Sequence, residues 1–175
     1  MAEYPQHLVR HRVLFDGTPV TIRPIRPEDS GLEQAFVRHL SEDSRYYRFM
    51  ASLRELPPKK LKFFTEIDYD RHMAFVATIM CEDKEQEIGV ARYVATETPG
   101  NCEFAVAVDD AWQGTGVAGL LMISLEDAAR EHGFKTMEGI VLATNYKMLK
   151  FARQLGCKRE HIPGEADTVH LELQL

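Results

Sequence analysis

Two short apolar runs, residues 9–15 and 20–25, stand on either side of Asp16-Gly17. That dipeptide supplies the positive φ angles of a tight turn, so the pair reads as a β-hairpin. Pro27 opens a helical period in which Leu32, Ala35, Phe36 and Leu40 share one face. A second short helix is predicted over residues 44–50, and Pro57-Pro58 precedes a third over residues 59–67. At His72 the period changes. Residues 74–81 and 88–95 are strand-like, with a charged turn over residues 82–87 between them. Thr98-Pro99-Gly100-Asn101 marks a further turn before the run at residues 102–108. These three runs predict an antiparallel meander.

A glycine-rich segment follows, Gln113-Gly114-Thr115-Gly116-Val117-Ala118, and then a helix over residues 116–132. Its apolar face is Val117, Leu120, Leu121, Ser124, Leu125 and Ala128, with Gly133 as its stop. Residues 137–142 predict a short strand. Asn145 begins another helix, with Met148, Leu149, Ala152 and Leu155 on one face and Gly156 at its end. Strands over residues 158–162 and 168–173 close the chain, separated by Pro163-Gly164-Glu165. The order predicts an α/β (α+β) fold, a mixed sheet packed by helices. No repeat or linker interrupts it, so residues 1–175 read as one domain.

Composition narrows the partners. With 45% apolar and 27% charged residues the chain is ordinary for a globular protein. Its net charge of -6 opposes broad binding to nucleic acid, which needs a basic face, and leaves an amine-bearing partner unrepelled. Cys81, Cys102 and Cys157 form no C-x-x-C pair and fit reduced, mostly buried thiols of a cytoplasmic protein. The seven histidines lack metal-ligand spacing, so no metal is expected. No apolar stretch reaches the ~20 residues that span a bilayer, and residues 1–12 lack a signal-peptide core. A homodimer is allowed, but nothing in the sequence sets the oligomeric state.

The candidate chemistry begins at the glycine segment. Glycines let backbone approach a ligand closely, and a helix start presents unpaired N–H groups and the positive end of its dipole. Together they suit a diphosphate without a basic side chain. A plain tight turn explains the same residues equally well. There is no Gly-Lys-Ser/Thr of a P-loop. Gly114, Gly116 and Gly119 do match G-x-G-x-x-G, but an antiparallel meander precedes them instead of an early βαβ unit.

The stretch Val108-Asp109-Asp110-Ala111-Trp112-Gln113-Gly114-Thr115-Gly116-Val117-Ala118 closely resembles the acetyl-CoA motif of the GNAT superfamily, Gln/Arg-x-x-Gly-x-Gly/Ala, with Gln113, Gly116 and Ala118 on its defining positions. Asn145 and the helix ending Leu155-Gly156-Cys157 resemble that superfamily's last helical region. A narrower likeness, to the acetyltransferase domain of bacterial Pat-type protein lysine acetyltransferases, is carried by three segments. They are Ser44-Arg45-Tyr46-Tyr47-Arg48-Phe49, Ile67-Asp68-Tyr69-Asp70 and Glu103-Phe104-Ala105-Val106. Those proteins often carry an acyl-CoA-ligase-like domain, which this sequence lacks.

The resemblance implies a mostly antiparallel GNAT-like sheet of about seven strands and acetyl transfer from acetyl-CoA to a primary amine, foremost a protein lysine. Acetylation of a small amine and a non-catalytic acetyl-CoA sensor are the alternatives. It implies that backbone at Val106 and Val108 pairs with the pantetheine arm, that Gln113, Gly114, Thr115, Gly116, Val117 and Ala118 hold the diphosphate, and that Asn145 reaches the pantetheine. Lys147 and Lys150 are candidates for the 3′-phosphate, though exposed helix lysines are more often simply solvated.

Transfer to an amine needs it neutral, and deprotonating a lysine at pH 7 costs roughly 4.6 kcal/mol. A positioned carboxylate can take that proton. The resemblance places the catalytic glutamate at Glu103. By alternation Glu103 shares a face with Ala105 and Ala107, and partial desolvation between Cys102 and Phe104 is expected; an ordinary solvent-facing strand residue is the competing reading. Where many relatives carry a tyrosine acid on the last helix, the count from Asn145 reaches Ala152, and Tyr146 is expected to point elsewhere. Direct attack with no tyrosine acid follows. Arg48 and His72 are acceptor-side candidates whose commoner role is structural.

Overall fold

The computed structural model describes residues 2–175. Its strands are β1 (Arg10–Val13), β2 (Pro19–Pro24), β3 (His72–Cys81), β4 (Lys84–Ala95), β5 (Asn101–Val108), β6 (Thr136–Leu142), β7 (Lys158–Glu160) and β8 (Thr168–Gln174). Five helices join them: α1 (Ser30–His39), α2 (Glu42–Phe49), α3 (Pro58–Thr65), α4 (Val117–Glu131) and α5 (Tyr146–Leu155). One eight-stranded sheet runs β1-β2-β3-β4-β5-β6-β8-β7. All described pairs are antiparallel except β5 with β6. The mixed α/β fold expected from the sequence is present, with eight strands in place of about seven; β7 is only three residues long.

The N-terminal hairpin forms, but β1 is shorter than its apolar run. Gly17 takes φ +88° at the turn, and Asp16 Oδ1 accepts from Thr18 N at 3.0 Å. Phe15 leaves the ladder because its N–H donates to Thr115 O at 3.0 Å. The helical period from Pro27 begins as a 3₁₀ turn, and α1 starts at Ser30. Asp29 ends that turn by accepting from Arg26 N at 2.9 Å.

The meander differs from expectation at one point. Residues 84–87, read as part of a charged turn, belong to β4. The reversal is confined to Glu82 and Asp83, both at positive φ (52° and 63°). Within this charged stretch Glu85 meets a distant partner: Arg23 donates to both of its oxygens, at 3.2 and 3.0 Å.

The two faces of the sheet are unlike. On one, α4 packs against β3 and β4, burying Val117, Leu121, Met122, Leu125, Ala128 and Ala129. Each of the larger of these contributes about 1.5–3 kcal/mol through apolar burial. Tyr93 stands edge-on to Phe134 at 5.1 Å on that face. The other face, under α1 and α3, buries charge: Arg23, Asp29, Glu33, Glu87 and Arg92 are all 4% exposed or less. Arg23 makes a paired contact to Asp29 at 2.7 and 2.8 Å.

Candidate functional site

The site begins where two strands part. β5 and β6 pair in parallel over three residues only, Asn101↔Thr136, Cys102↔Met137 and Glu103↔Glu138. Beyond that rung β5 runs on to Val108 beside β4 alone, while β6 stays on β8 to Leu142. Phe104 wedges the fork. A Cβ on Gly139 would stand 3.2 Å from Phe104 Cε1 and 3.4 Å from Phe104 O, so glycine gives the Phe104 ring its close seat on β6.

The fork leaves a backbone edge with no strand beside it, where Val108 O accepts from Gln113 Nε2 at 3.4 Å. Asp109 N–H donates to Ile88 O at 2.8 Å, and the β4–β5 register is continuous from Cys102 to Val108. By two-residue alternation, Ala105 and Ala107 turn their main-chain groups to β4. Those of Phe104, Val106 and Val108 face the gap. This is a strand edge ready to pair with an extended amide-bearing chain.

At the top of the gap the glycine segment starts α4. Gly116 is the residue before the helix, at φ +94°. The first hydrogen bond is Leu120 N to Gly116 O at 3.2 Å, so the N–H groups of Val117, Ala118 and Gly119 precede any helical partner. With the helix dipole they form an anion cradle. A cavity of about 1080 Å³ joins this cradle to the fork. Of the nine residues expected on the donor side, Val106, Val108, Gln113, Gly114, Gly116, Val117, Ala118 and Asn145 line it. Thr115 does not: its hydroxyl donates to Trp112 O at 2.6 Å and its carbonyl holds Phe15 N. The Asn145 side chain caps α5 through Met148 N at 3.2 Å, which leaves its Nδ2 as the free donor. Gln113 accepts from Lys147 Nζ at 3.1 Å.

Glu103 occupies the last shared rung, opposite Val94 and beside Glu138. It is exposed, so the expected desolvation between Cys102 and Phe104 is absent; those two side chains are buried on the opposite face. Glu103 lies outside the cavity lining, whereas Arg48 is part of it. The Arg48 guanidinium sits 4.8 Å from the Phe49 ring and 5.6 Å from that of Phe64. Burial, then Arg92, pull its pKa down to about 10, against a favourable field from Glu33 and Glu103. His72 is buried, with Nε2 2.9 Å from Arg92 Nη1. Burial and that cation pull it down to about 4, so it is neutral and structural.

Ala152 is fully buried and presents nothing to the gap. Tyr146, expected to point away, is 75% exposed and reaches the cavity rim. Three features escaped sequence reasoning. Tyr47 spans the gap, donating to Thr144 O at 3.3 Å. Gly139 admits Phe104, and its signal was a lone glycine within a strand. Phe15 lines the cavity at the far side of the glycine segment. Of the cysteines, only Cys102 is buried; Cys157 is partly so and Cys81 is exposed.

Residues 35–157 match the model of the acetyltransferase (GNAT) family. Acetyltransferase PA5475 of Pseudomonas aeruginosa is 37% identical over 162 residues, 93% of this chain and 87% of that protein. The chain belongs to the GNAT acetyltransferase family. The GNAT domain of S. lividans PAT superposes with a TM-score of 0.90 at 32% identity, covering 99% of this chain and 100% of that one. A cAMP-binding acyltransferase from Mycobacterium smegmatis has a TM-score of 0.64 at 25% identity; this chain covers 48% of it.

GNAT enzymes use acetyl-CoA, and the residues here fit it. The free edge at Phe104, Val106 and Val108 suits the two amides of a pantetheine arm. The open N–H groups at Val117, Ala118 and Gly119 suit a diphosphate. Such a donor supplies a thioester carbonyl open to attack by an amine.

Proposed function

We propose that this N-acetyltransferase modifies protein lysine side chains, with Glu103 as general base. The observation that carries this reading is the placement of Glu103: exposed, on the last rung of the fork, outside the cavity lining. A lysine on a protein surface can reach such a carboxylate without entering a closed pocket. Its amine, charged at neutral pH, passes a proton to Glu103 directly or through one water. The neutral nitrogen then attacks a thioester lying in the gap. Nothing at Ala152 can protonate the departing thiolate, which leaves readily without help. The similarity to the GNAT domain of S. lividans PAT agrees with the resemblance of residues 44–49, 67–70 and 103–106 to Pat-type protein lysine acetyltransferases, which implies that acceptor. On this reading residues 1–175 act as one catalytic domain, as the continuity of one sheet from Arg10 to Gln174 supports, and the three unpaired thiols suit the cytoplasm.

The test is mass spectrometry of acetyl-lysine in a lysate incubated with acetyl-CoA and either wild type or Glu103→Gln. General-base catalysis is worth about 10² to 10⁴ in rate, so the variant should lose that factor while still binding CoA. Equal turnover by the two proteins would remove Glu103 from the chemistry. Acetylation confined to free small amines would remove the protein acceptor.

A further inference from the structure

The turn between β1 and β2 carries a phenylalanine that is 86% exposed. A single exposed apolar residue is ordinary, but Phe15 is held in place. Its N–H is tied to Thr115 O, and Asp16 and Gly17 shape the turn beyond it. Its ring rests on the cradle. The point where a Gly116 Cβ would stand lies 3.0 Å from Phe15 Cζ and 3.1 Å from both Cε1 and Cε2. An edge-on approach to Cζ would leave the two Cε atoms much farther away, so the ring lies face-on to Gly116. Its opposite face is open to solvent and borders the same cavity as the cradle.

We propose that the outer face of Phe15 is the stacking platform for the adenine of CoA, an inference that rests on reading the cradle as the donor's diphosphate site. In CoA the adenosine is joined directly to the diphosphate, so a diphosphate on Val117 and Ala118 leaves the base within a few ångströms of the cradle. An aromatic ring fixed there offers a purine an offset-stacked partner at little entropic cost, because its backbone is already clamped. The contact selects nucleotide-bearing thioesters over a bare pantetheine thioester.

The test is calorimetric titration of wild type, Phe15→Ala and Phe15→Trp with CoA and with 4′-phosphopantetheine, which lacks the nucleoside. Stacking on one base predicts that Phe15→Ala binds CoA roughly 5- to 30-fold more weakly, with 4′-phosphopantetheine unaffected and Phe15→Trp at least as tight as wild type. Unchanged CoA affinity in Phe15→Ala overturns the proposal. An equal loss for both ligands also overturns it, by making Phe15 a prop for Gly116. Wild type that binds no CoA overturns the donor-site reading and the stacking with it, a result distinct from either of the others.

Discussion

Replacing Glu87 with Gln exchanges a buried titratable group for a neutral one of the same shape. Glu87 is 3% exposed, and neither of its carboxylate oxygens has a partner. Glu33, on α1, is 1% exposed and lies 3.7 Å from Arg92 Nη2. Two carboxylates therefore share one buried guanidinium. Burial raises Glu87 well above the usual carboxylate range; Glu33 and Asp29 add to the rise, and Arg92 and Arg23 oppose it. Glu33 is raised for the same first reason. The buried Glu87 carboxyl, facing Glu33, therefore favours its protonated form.

The sign follows from linkage. A carboxyl whose folded pKa lies above its unfolded value contributes stability that is fully present below the unfolded value, about 4.3. That stability is lost as pH rises towards the folded pKa, at about 1.4 kcal/mol per pH unit. Glu87→Gln abolishes that slope. Urea denaturation of both proteins from pH 5 to pH 8 measures it, and common groups other than Glu33, which faces Glu87, cancel in the difference. The variant should gain on wild type as pH rises, by up to about 1.4 kcal/mol per unit. A difference that stays constant across this range would refute the protonated form.

Two glycines test the geometry of the gap. Gly116→Val forces a branched side chain to φ +94° and into the Phe15 ring. It should cost about 1–3 kcal/mol in stability and weaken CoA binding, as thermal denaturation and calorimetry would show. Gly139→Val sets a Cβ 3.2 Å from the Phe104 ring. Overpacking there should cost about 1–3 kcal/mol and raise the KM for acetyl-CoA by narrowing the fork, and a variant with wild-type KM would refute the wedge.

What the sequence could show was local. The cradle at Gly116 and the apolar stripe of α4 were legible because turn chemistry and helical period act within a few residues. Ala152 was legible too, since it fell on the apolar face of α5 and is fully buried there. The start of β4 was misread for the opposite reason. Lys84 to Glu87 look like a turn until Arg23, 62 residues away from Glu85, supplies a partner. Burial of charge is a property of the assembled sheet, and no local period reports it.

The same distinction decides how far Glu103 could be understood in advance. Alternation put it on a face with Ala105 and Ala107, and that much needs only β5. Its exposure depends on β6, which joins β5 for three residues and then leaves it, with Phe104 seated against Gly139. A side chain flanked by two buried neighbours, Cys102 and Phe104, looks half-desolvated in sequence. In the sheet those neighbours point to the α4 side, leaving the carboxylate on the other face, where it is exposed. The fork thus does two things at once: it frees a backbone edge and leaves Glu103 exposed on its last rung, the arrangement the proposed chemistry requires.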